Sequence, residues 1–298
     1  MKRSKNGIAL LITVMFVIVI TVAIGIGLKQ INSASKIVQE ENFLYQTTLI
    51  VEDIITILKN SPDVQRVLEN NSSADLYELI ATAGFIPFEI DGLEIIMKIS
   101  SARGKFNPAQ IDGNNTESLQ FFMNAKQVNS QYINILVDNI SGIKEDNSYN
   151  STIFDANPYL FRDYIASKEH LAVINRFYAQ EYNDNSLENI NFDALFYFTE
   201  DKNISIDLNF ATTEVWEMML GCSQERAEIL SSGAGGYTVL ADLNLANDEQ
   251  SRLAHFKTTF FAPVIFVELE ISKGDVTSQV TFEYDIVKKK GSNFVYEI

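Results

Sequence analysis

Cysteine is all but absent from this chain of 298 residues. The single Cys222 excludes an internal disulfide and any cysteine zinc site, and its plainest reading is a buried, inert thiol. Histidine is nearly as scarce: only His170 and His255 occur, with no G-x-S-x-G motif, so a Ser-His-Asp or Cys-His arrangement finds no support and no enzyme is expected. Cations are outnumbered, 23 Lys and Arg against 39 Asp and Glu, and the net charge of −16 predicts a surface that repels nucleic acid and anionic lipid. Acidic residues are themselves missing from the first 39 positions, since the earliest is Glu40.

What stands in that acid-free stretch is a long apolar run. Ile8 to Leu28 reads IALLITVMFVIVITVAIGIGL, 21 residues without a charge. At about 1.5 Å rise per residue it covers the roughly 30 Å hydrocarbon core of a bilayer. Lys2, Arg3 and Lys5 precede it, which orients the N-terminus toward the cytoplasm and the acidic remainder outward. A cleavable secretory signal is the rival reading, but its apolar core is normally about 7 to 15 residues followed by a small-x-small site. The run therefore predicts one membrane-spanning helix at 8–28, with Gly25, Gly27 and Thr21 allowing close helix approach.

Beyond Leu28 the helical pattern continues. Ile37, Leu44, Thr48, Val51, Ile55 and Leu58 fall at three- and four-residue spacings, predicting an amphipathic spine at 29–60 that stops at Asn60, Ser61 and Pro62. Residues 63 to 84 read as helix, and Phe88 to Ser100 as a β-hairpin turning at Asp91 and Gly92. From Asn107 to about Asn191 the period is helical again, with apolar sets at Leu119, Phe122 and Met123, at Ile133, Leu136 and Val137, and at Leu171, Ile174 and Phe177. Within that block, Asp146 to Asn157 is polar and Asn-rich and reads as a long exposed loop. A helix pair, Thr212 to Leu220 and Ser223 to Leu230, is separated by Gly221 and ends near Gly233. Strands close the chain, at Val264 to Ser272, Val276 to Ile286 and Phe294 to Ile298. The order predicts an α+β fold: one sheet, packed on the spine, whose sequence halves are separated by a helical insertion.

Three carboxylate-rich stretches could form an oxygen cage for calcium, which takes six to eight oxygen ligands. They are Asp112, Asn114, Asn115 and Glu117; Asp138, Glu145, Asp146 and Asp155; and Glu181, Asn183, Asp184, Asn185 and Glu188. None has the D-x-[DN]-x-[DN]-G spacing of an EF-hand, and a solvated polar loop is the competing reading for each. The run SSGAGG, with Gly233, Gly235 and Gly236, follows a helix and precedes no Lys, so a helix-ending loop explains it better than a phosphate cradle. The helix pair resembles a DNA-gripping helix-hairpin-helix, but Glu214, Glu217, Glu225 and Glu228 crowd it where only Arg226 is positive.

The leader MKRSKNG, ending in Gly7 directly before the apolar run, has the layout that a prepilin peptidase recognises. Most pilin-like proteins carry Glu five residues after the cut; here that position is Ile12. One branch regularly lacks the Glu, and the chain resembles it: the K-type minor pseudopilins of type II secretion, the general secretion pathway protein K (GspK) family. The likeness runs through the domain in order. Gly104-Lys105-Phe106-Asn107 resembles the family's Gly-Arg-x-Asn-x-Asn, with Ala109 in place of the second Asn. Leu136 to Ile140 resembles Leu-Leu-Asp-Trp-Ile-Asp before the acidic loop, with Asn139 for Trp and Ser141 for the last Asp, departures that weigh against a calcium site there. Ile206 to Ala211 is similar to Ile-Asn-x-Asn-Thr-Ala, and the helix pair follows it.

The resemblance implies a pilin-like long N-terminal helix packed on an antiparallel sheet, with a SAM/HhH-like helical insertion between the sheet halves. Its segments would be a leader at 1–7, the membrane part of the helix at 8–28, the periplasmic spine at 29–60, a first α/β part at 61–106, the insertion at 107–255 and the remaining sheet at 256–298. It implies cleavage between Gly7 and Ile8, methylation of Ile8, and a place at the tip of a periplasmic pseudopilus, anchored in the inner membrane. Partners would be the I- and J-type minor pseudopilins, docked on the apolar stripe of the spine, with the major pseudopilin, the prepilin peptidase and the inner-membrane platform, and no nucleic acid. No cofactor is required, and calcium at Asp138, Glu145, Asp146 and Asp155 is admitted. A minor pilin of a type IV pilus shares the leader logic, and a plain single-pass periplasmic binding or enzymatic domain would keep its leader uncut.

Overall fold

The computed structural model describes residues 42–90, 92–274 and 276–297. Gly7, Ile8, Ile12, the apolar run at 8–28 and the first part of the spine lie outside these residues. Among the described residues no helix is long and apolar enough to cross a membrane. The chain divides into two compact units, residues 1–57 and 58–298.

Helix α1 (42–60) ends where the sequence predicts, because Pro62 disfavours helical backbone at Ser61, which sits at φ −62° and ψ 128°. Its buried stripe differs from the expected one. Phe43, Thr47, Ile50, Val51, Ile54 and Leu58 are buried, whereas Leu44 is exposed and Thr48 and Ile55 are half-buried. Apolar residues lie on more than one side of this helix, so spacing alone offered two overlapping stripes about 70° apart, sharing Val51 and Leu58.

Residues 63–84, read as helical, form two helices. Helix α2 (Pro62–Asn70) stops at Asn71, whose φ of 46° is left-handed, and α3 (Ser73–Ala83) restarts with the Ser72 side chain accepting from the Asp75 N–H. The hairpin β1 (Ile86–Ile90) and β2 (Leu93–Ser101) follows, with Gly92 at φ 74° supplying the positive angle its turn requires. The helical block contains α4 (Thr116–Ala125), α5 (Gln131–Ile140), α6 (Ile153–Ala156), α7 (Lys168–Tyr182) and α8 (Phe192–Leu195). After the short strand β3 (Ile206–Asp207) come α9 (Thr213–Leu220), α10 (Gln224–Ser232) and α11 (Asn247–Leu253), and β4 (Thr258–Thr259), which pairs with β3 in parallel. The chain ends in β5 (Val264–Lys273), β6 (Val276–Asp285) and β7 (Lys290–Glu297).

The main sheet has the order β1-β2-β5-β6-β7, antiparallel throughout. Strands β2 and β5 are therefore neighbours although the whole helical block separates them in sequence. Their register is set by alternation: Ile95 faces Ile271, Met97 faces Leu269 and Ile99 faces Val267, all buried, while the exposed Lys98 and the partly buried Glu268 pair on the other face at 3.0 Å. The helical block has its own core around Trp216, Tyr132 and Tyr178, which includes every residue of the three predicted apolar sets except the partly buried Val137. The segment 146–157 corrects the exposed-loop expectation. Within it α6 puts Ile153 and Phe154 into that core, since burying two large apolar side chains outweighs the polarity of their neighbours.

Where β2 gives way to the helical block, several buried polar groups hold the two together. Arg103 pairs with the β6 residue Glu283 at 2.8 Å, and Tyr197 donates from its hydroxyl to the same carboxylate. Burial works against the charge on Arg103, but Glu283 offsets this and the guanidinium pKa ends above its ordinary value; burial, and then Glu283, push the Tyr197 phenol up. Gly104 lies so close to the next layer that an added Cβ would stand 2.0 Å from the Phe210 carbonyl oxygen. Asn209 bridges three segments, donating to the Phe260 and Tyr237 carbonyls and accepting from the Tyr237 N–H. Asp207 accepts from the Asn209 N–H at 3.0 Å and the Ala262 N–H at 2.8 Å, and its burial raises its pKa to about 6 despite those bonds.

Two outcomes are expected. Replacing Arg103 by Met leaves Glu283 buried without its cation, and urea unfolding of the variant should show a loss of about 3–5 kcal/mol. For Asp207 the folded pKa lies above the unfolded value near 3.9, so its contribution to stability is fully present below that value and lost as pH rises through about 6. The advantage of Asp207→Asn over the parent should therefore grow by roughly 2–3 kcal/mol between pH 4 and pH 7. A difference that stays constant across that range would show that Asp207 does not titrate in the fold.

Candidate functional site

The exposed side of α1 is the first candidate surface. Tyr45 and Leu49 are one turn apart and stand opposite the buried stripe, 66% and 42% exposed, with Leu44 and Ile57 exposed at its flanks. Two large apolar side chains at i and i+4 form a contiguous patch, which water penalises and a partner helix can cover. Of the expected stripe Val51 and Leu58 are buried and Leu44 is exposed, and Tyr45, Leu49 and Ile57 are the other exposed large apolar side chains of the helix. The spacing Tyr45-x-x-x-Leu49 was visible in the sequence but lay outside the chosen stripe.

The helix pair α9 and α10 forms as expected. Thr212 and Ser223 cap the two helices, and Gly221 ends the first at φ 61°. Its acidic residues are not all solvent: Glu217 is buried and bonded to Lys126 at 2.8 Å, while Glu225 and Glu228 are exposed. Arg226, the one cation of the pair, turns inward to Glu249 and to the Leu243 and Asn244 carbonyls. A phosphate-binding face would need that charge outside. The run at Gly233, Gly235 and Gly236 is shaped by packing, because a Cβ at Gly233 would collide with Tyr237 and one at Gly235, where φ is 81°, with Tyr77.

The carboxylate stretches do not gather. Asp112 accepts from the N–H groups of Asn114 and Asn115 in a tight turn before α4, with Glu117 in the first turn of that helix. Asp184 accepts from Tyr178 and from the Ser186 N–H just past α7, and Asn183 is the left-handed cap of that helix. In the set Asp138, Glu145, Asp146 and Asp155 only Asp138 is buried, and its oxygens accept from Asn150 and Ser151. Glu145, Asp146 and Asp155 are exposed, and Asp146 accepts from Ser148. Among the described residues no three Asp, Glu, His or Cys side chains lie together so as to hold a metal ion, and this set does not fit a calcium cage.

His170 is a core residue. Its Nδ1 accepts from the Ala166 N–H and its Nε2 donates to the Asn139 side-chain oxygen, and burial lowers its pKa. His255 is exposed at the edge of an open cleft of about 560 Å³ that also includes Asp112, Ser141 and Lys257. Cys222 is half-buried with its thiol pushed up to about 11, first by burial and then by Glu249, which fits the inert reading. Trp, expected by the resemblance where Asn139 stands, is replaced by an amide that donates to the Ile135 carbonyl and holds His170.

No protein-family model matches the chain, and no curated protein does. Among solved structures the chain is similar to one from the GspK-GspI-GspJ complex of the enterotoxigenic Escherichia coli type 2 secretion system. The two share 10% sequence identity and a TM-score of 0.57, over 87% of this chain and 99% of that one. What this likeness shows is a common α+β fold, carried through nearly the full length of a subunit of that complex.

Proposed function

We propose that this chain is a K-type minor pseudopilin of type II secretion, anchored in the inner membrane by residues 8–28 and acting mechanically at the tip of a periplasmic pseudopilus. The observation that carries the reading is the fold shared over nearly all of a chain from a GspK-GspI-GspJ complex, with a sheet whose neighbouring strands β2 and β5 are separated in sequence by a helical insertion. The leader supports it independently, since Gly7 directly precedes an uncharged 21-residue run and Ile12 stands where shaft subunits of the resembled families carry Glu. A subunit without that Glu has no carboxylate to offer the amine of a neighbour above it, which suits the last position of a filament. The broad helical block, carried beside the sheet, would likewise obstruct a further subunit.

Assembly in this reading runs through the long helix. Equivalent helices of I- and J-type minor pseudopilins cover the Tyr45 and Leu49 patch, while residues 8–28 pack against neighbouring membrane helices. The chemistry is burial of apolar surface and needs no catalytic group.

Co-expression of the full chain with a prepilin peptidase should remove the seven residues before Ile8, as read by intact mass, and Gly7→Ala should abolish the cut. Retention of Met1 in both samples would remove the pseudopilin reading. The double variant Tyr45→Glu, Leu49→Glu should stop co-purification with I- and J-type partners while changing unfolding stability by no more than about 0.5 kcal/mol, as exposed substitutions do. Undiminished co-purification would exclude this face as the contact.

A further inference from the structure

We infer that the loop of residues 142–152 is closed from within, by Asp138 at one end and Arg162 at the other, and holds its shape without a divalent cation. Sequence composition made this loop the best place for calcium, because four carboxylates surround it. The geometry assigns those groups to other partners.

Asp138 is fully buried at the end of α5. One carboxylate oxygen accepts from the Asn150 N–H at 2.9 Å and its amide Nδ2 at 3.0 Å, and the other from the Ser151 N–H and hydroxyl, both at 2.7 Å. A carboxylate offers about four lone-pair positions, and all four are filled. Ligating calcium would mean surrendering bonds that close the loop. Two other positions of the motif also have partners within the chain. Ser141 donates from its hydroxyl to the Asp138 carbonyl at 2.9 Å, and Asn139 is committed to Ile135 and His170.

The positive charge that such a loop needs is already supplied. The Arg162 guanidinium lies 3.9 Å over the Phe154 ring and donates to the Tyr149 hydroxyl at 2.9 Å. That hydroxyl also accepts from the Lys144 N–H at 2.9 Å and donates to the Gly142 carbonyl at 3.1 Å, so its one donor and two acceptor positions are satisfied. Tyr149 packs edge-on against Phe154 with ring centroids 4.6 Å apart, and the Lys144 ammonium donates to the Ser148 carbonyl at 2.9 Å. Asp146 is held by the N–H and hydroxyl of Ser148. Lys144 and Arg162 each lie 5.1 Å from the centroid of the Tyr149 ring, and both would repel a divalent ion entering the loop. Loop closure does not depend on leader processing, so either reading can fail alone.

The test uses the full-length chain in detergent, with calcium chloride against EDTA. Thermal midpoints and amide exchange across 142–152 should coincide in the two solutions, and calorimetric titration with calcium should show no saturable binding. Asp138→Asn should speed exchange in the loop about tenfold, the effect of leaving one buried hydrogen-bonding group unsatisfied, Arg162→Gln should speed it in the same direction, and calcium should restore neither. Glu145→Gln should change nothing. Saturable calcium binding that slows exchange and that Asp138→Asn removes would overturn the proposal, as would an Arg162→Gln variant whose loop exchanges like the parent.

Discussion

The pairing of β2 with β5 is the constraint on which the rest of this structure depends. A hairpin of β1 and β2 alone would be marginal in water, and its inner face, Leu93, Ile95, Met97 and Ile99, needs a third strand to complete a sheet. The third strand arrives only after the helical block. Bringing the two ends together costs closure entropy that grows slowly with length, so a folded insertion whose exit lies beside its entrance is the economical solution. Ala102 donates to the Val264 carbonyl at 3.0 Å just where β2 ends and β5 begins, and Arg103 reaches across to Glu283 on the next strand. The insertion is thereby tied to two strands of the sheet at the point of departure.

Buried polar residues carry the joint because the segments meeting there are irregular. Backbone N–H and C=O groups in such turns have no ladder to join, and a buried one left unpaired is expensive. Asn209 satisfies the Tyr237 N–H and two carbonyls, Asp207 satisfies two N–H groups, and Asn107 caps a short helical turn while donating to the Asp201 carbonyl. These are the stretches that gave the sequence its family resemblance, around Gly104 to Asn107 and Ile206 to Ala211. The residue types found there follow from backbone accounting at a crossover.

Periodicity was readable wherever one face of an element is buried and the other is wet. The alternation of β2, β5 and β6 and the apolar sets of α4, α5 and α7 fall where the sequence places them, since each pattern has a single amphipathic solution. It was ambiguous for α1, where the exposed Leu44 and the half-buried Ile55 continue an apolar spacing beyond the buried stripe. It failed at 146–157 because Ile153 and Phe154 are too few to show a period, and at Asn71 because a left-handed residue leaves little trace beyond its identity. The acidic loop was misleading for a different reason. Composition counts carboxylates, but whether they ligate an ion depends on which donors reach them first, and Asn150 and Ser151 are adjacent in the chain and already in place around Asp138.

The scarcity of cations then acquires a structural meaning. With 23 basic residues against 39 acids the chain is anionic whatever the fold does, and five of its cations sit at joints between elements. Arg103 holds Glu283 where the insertion leaves the sheet, Lys126 holds Glu217, Arg226 joins α10 to Glu249 on α11, and Arg162 fills the loop beside Tyr149 and Phe154. Arg252 closes the end of α9, donating to the Leu220 carbonyl from a position that a Cβ on Gly221 would occupy. Arginine suits this role because its planar, weakly hydrated head can be buried with several directional bonds at once. Each of these five cations is satisfied inside the chain, so its loss would leave a carboxylate, a carbonyl or a ring contact at the joint without its partner.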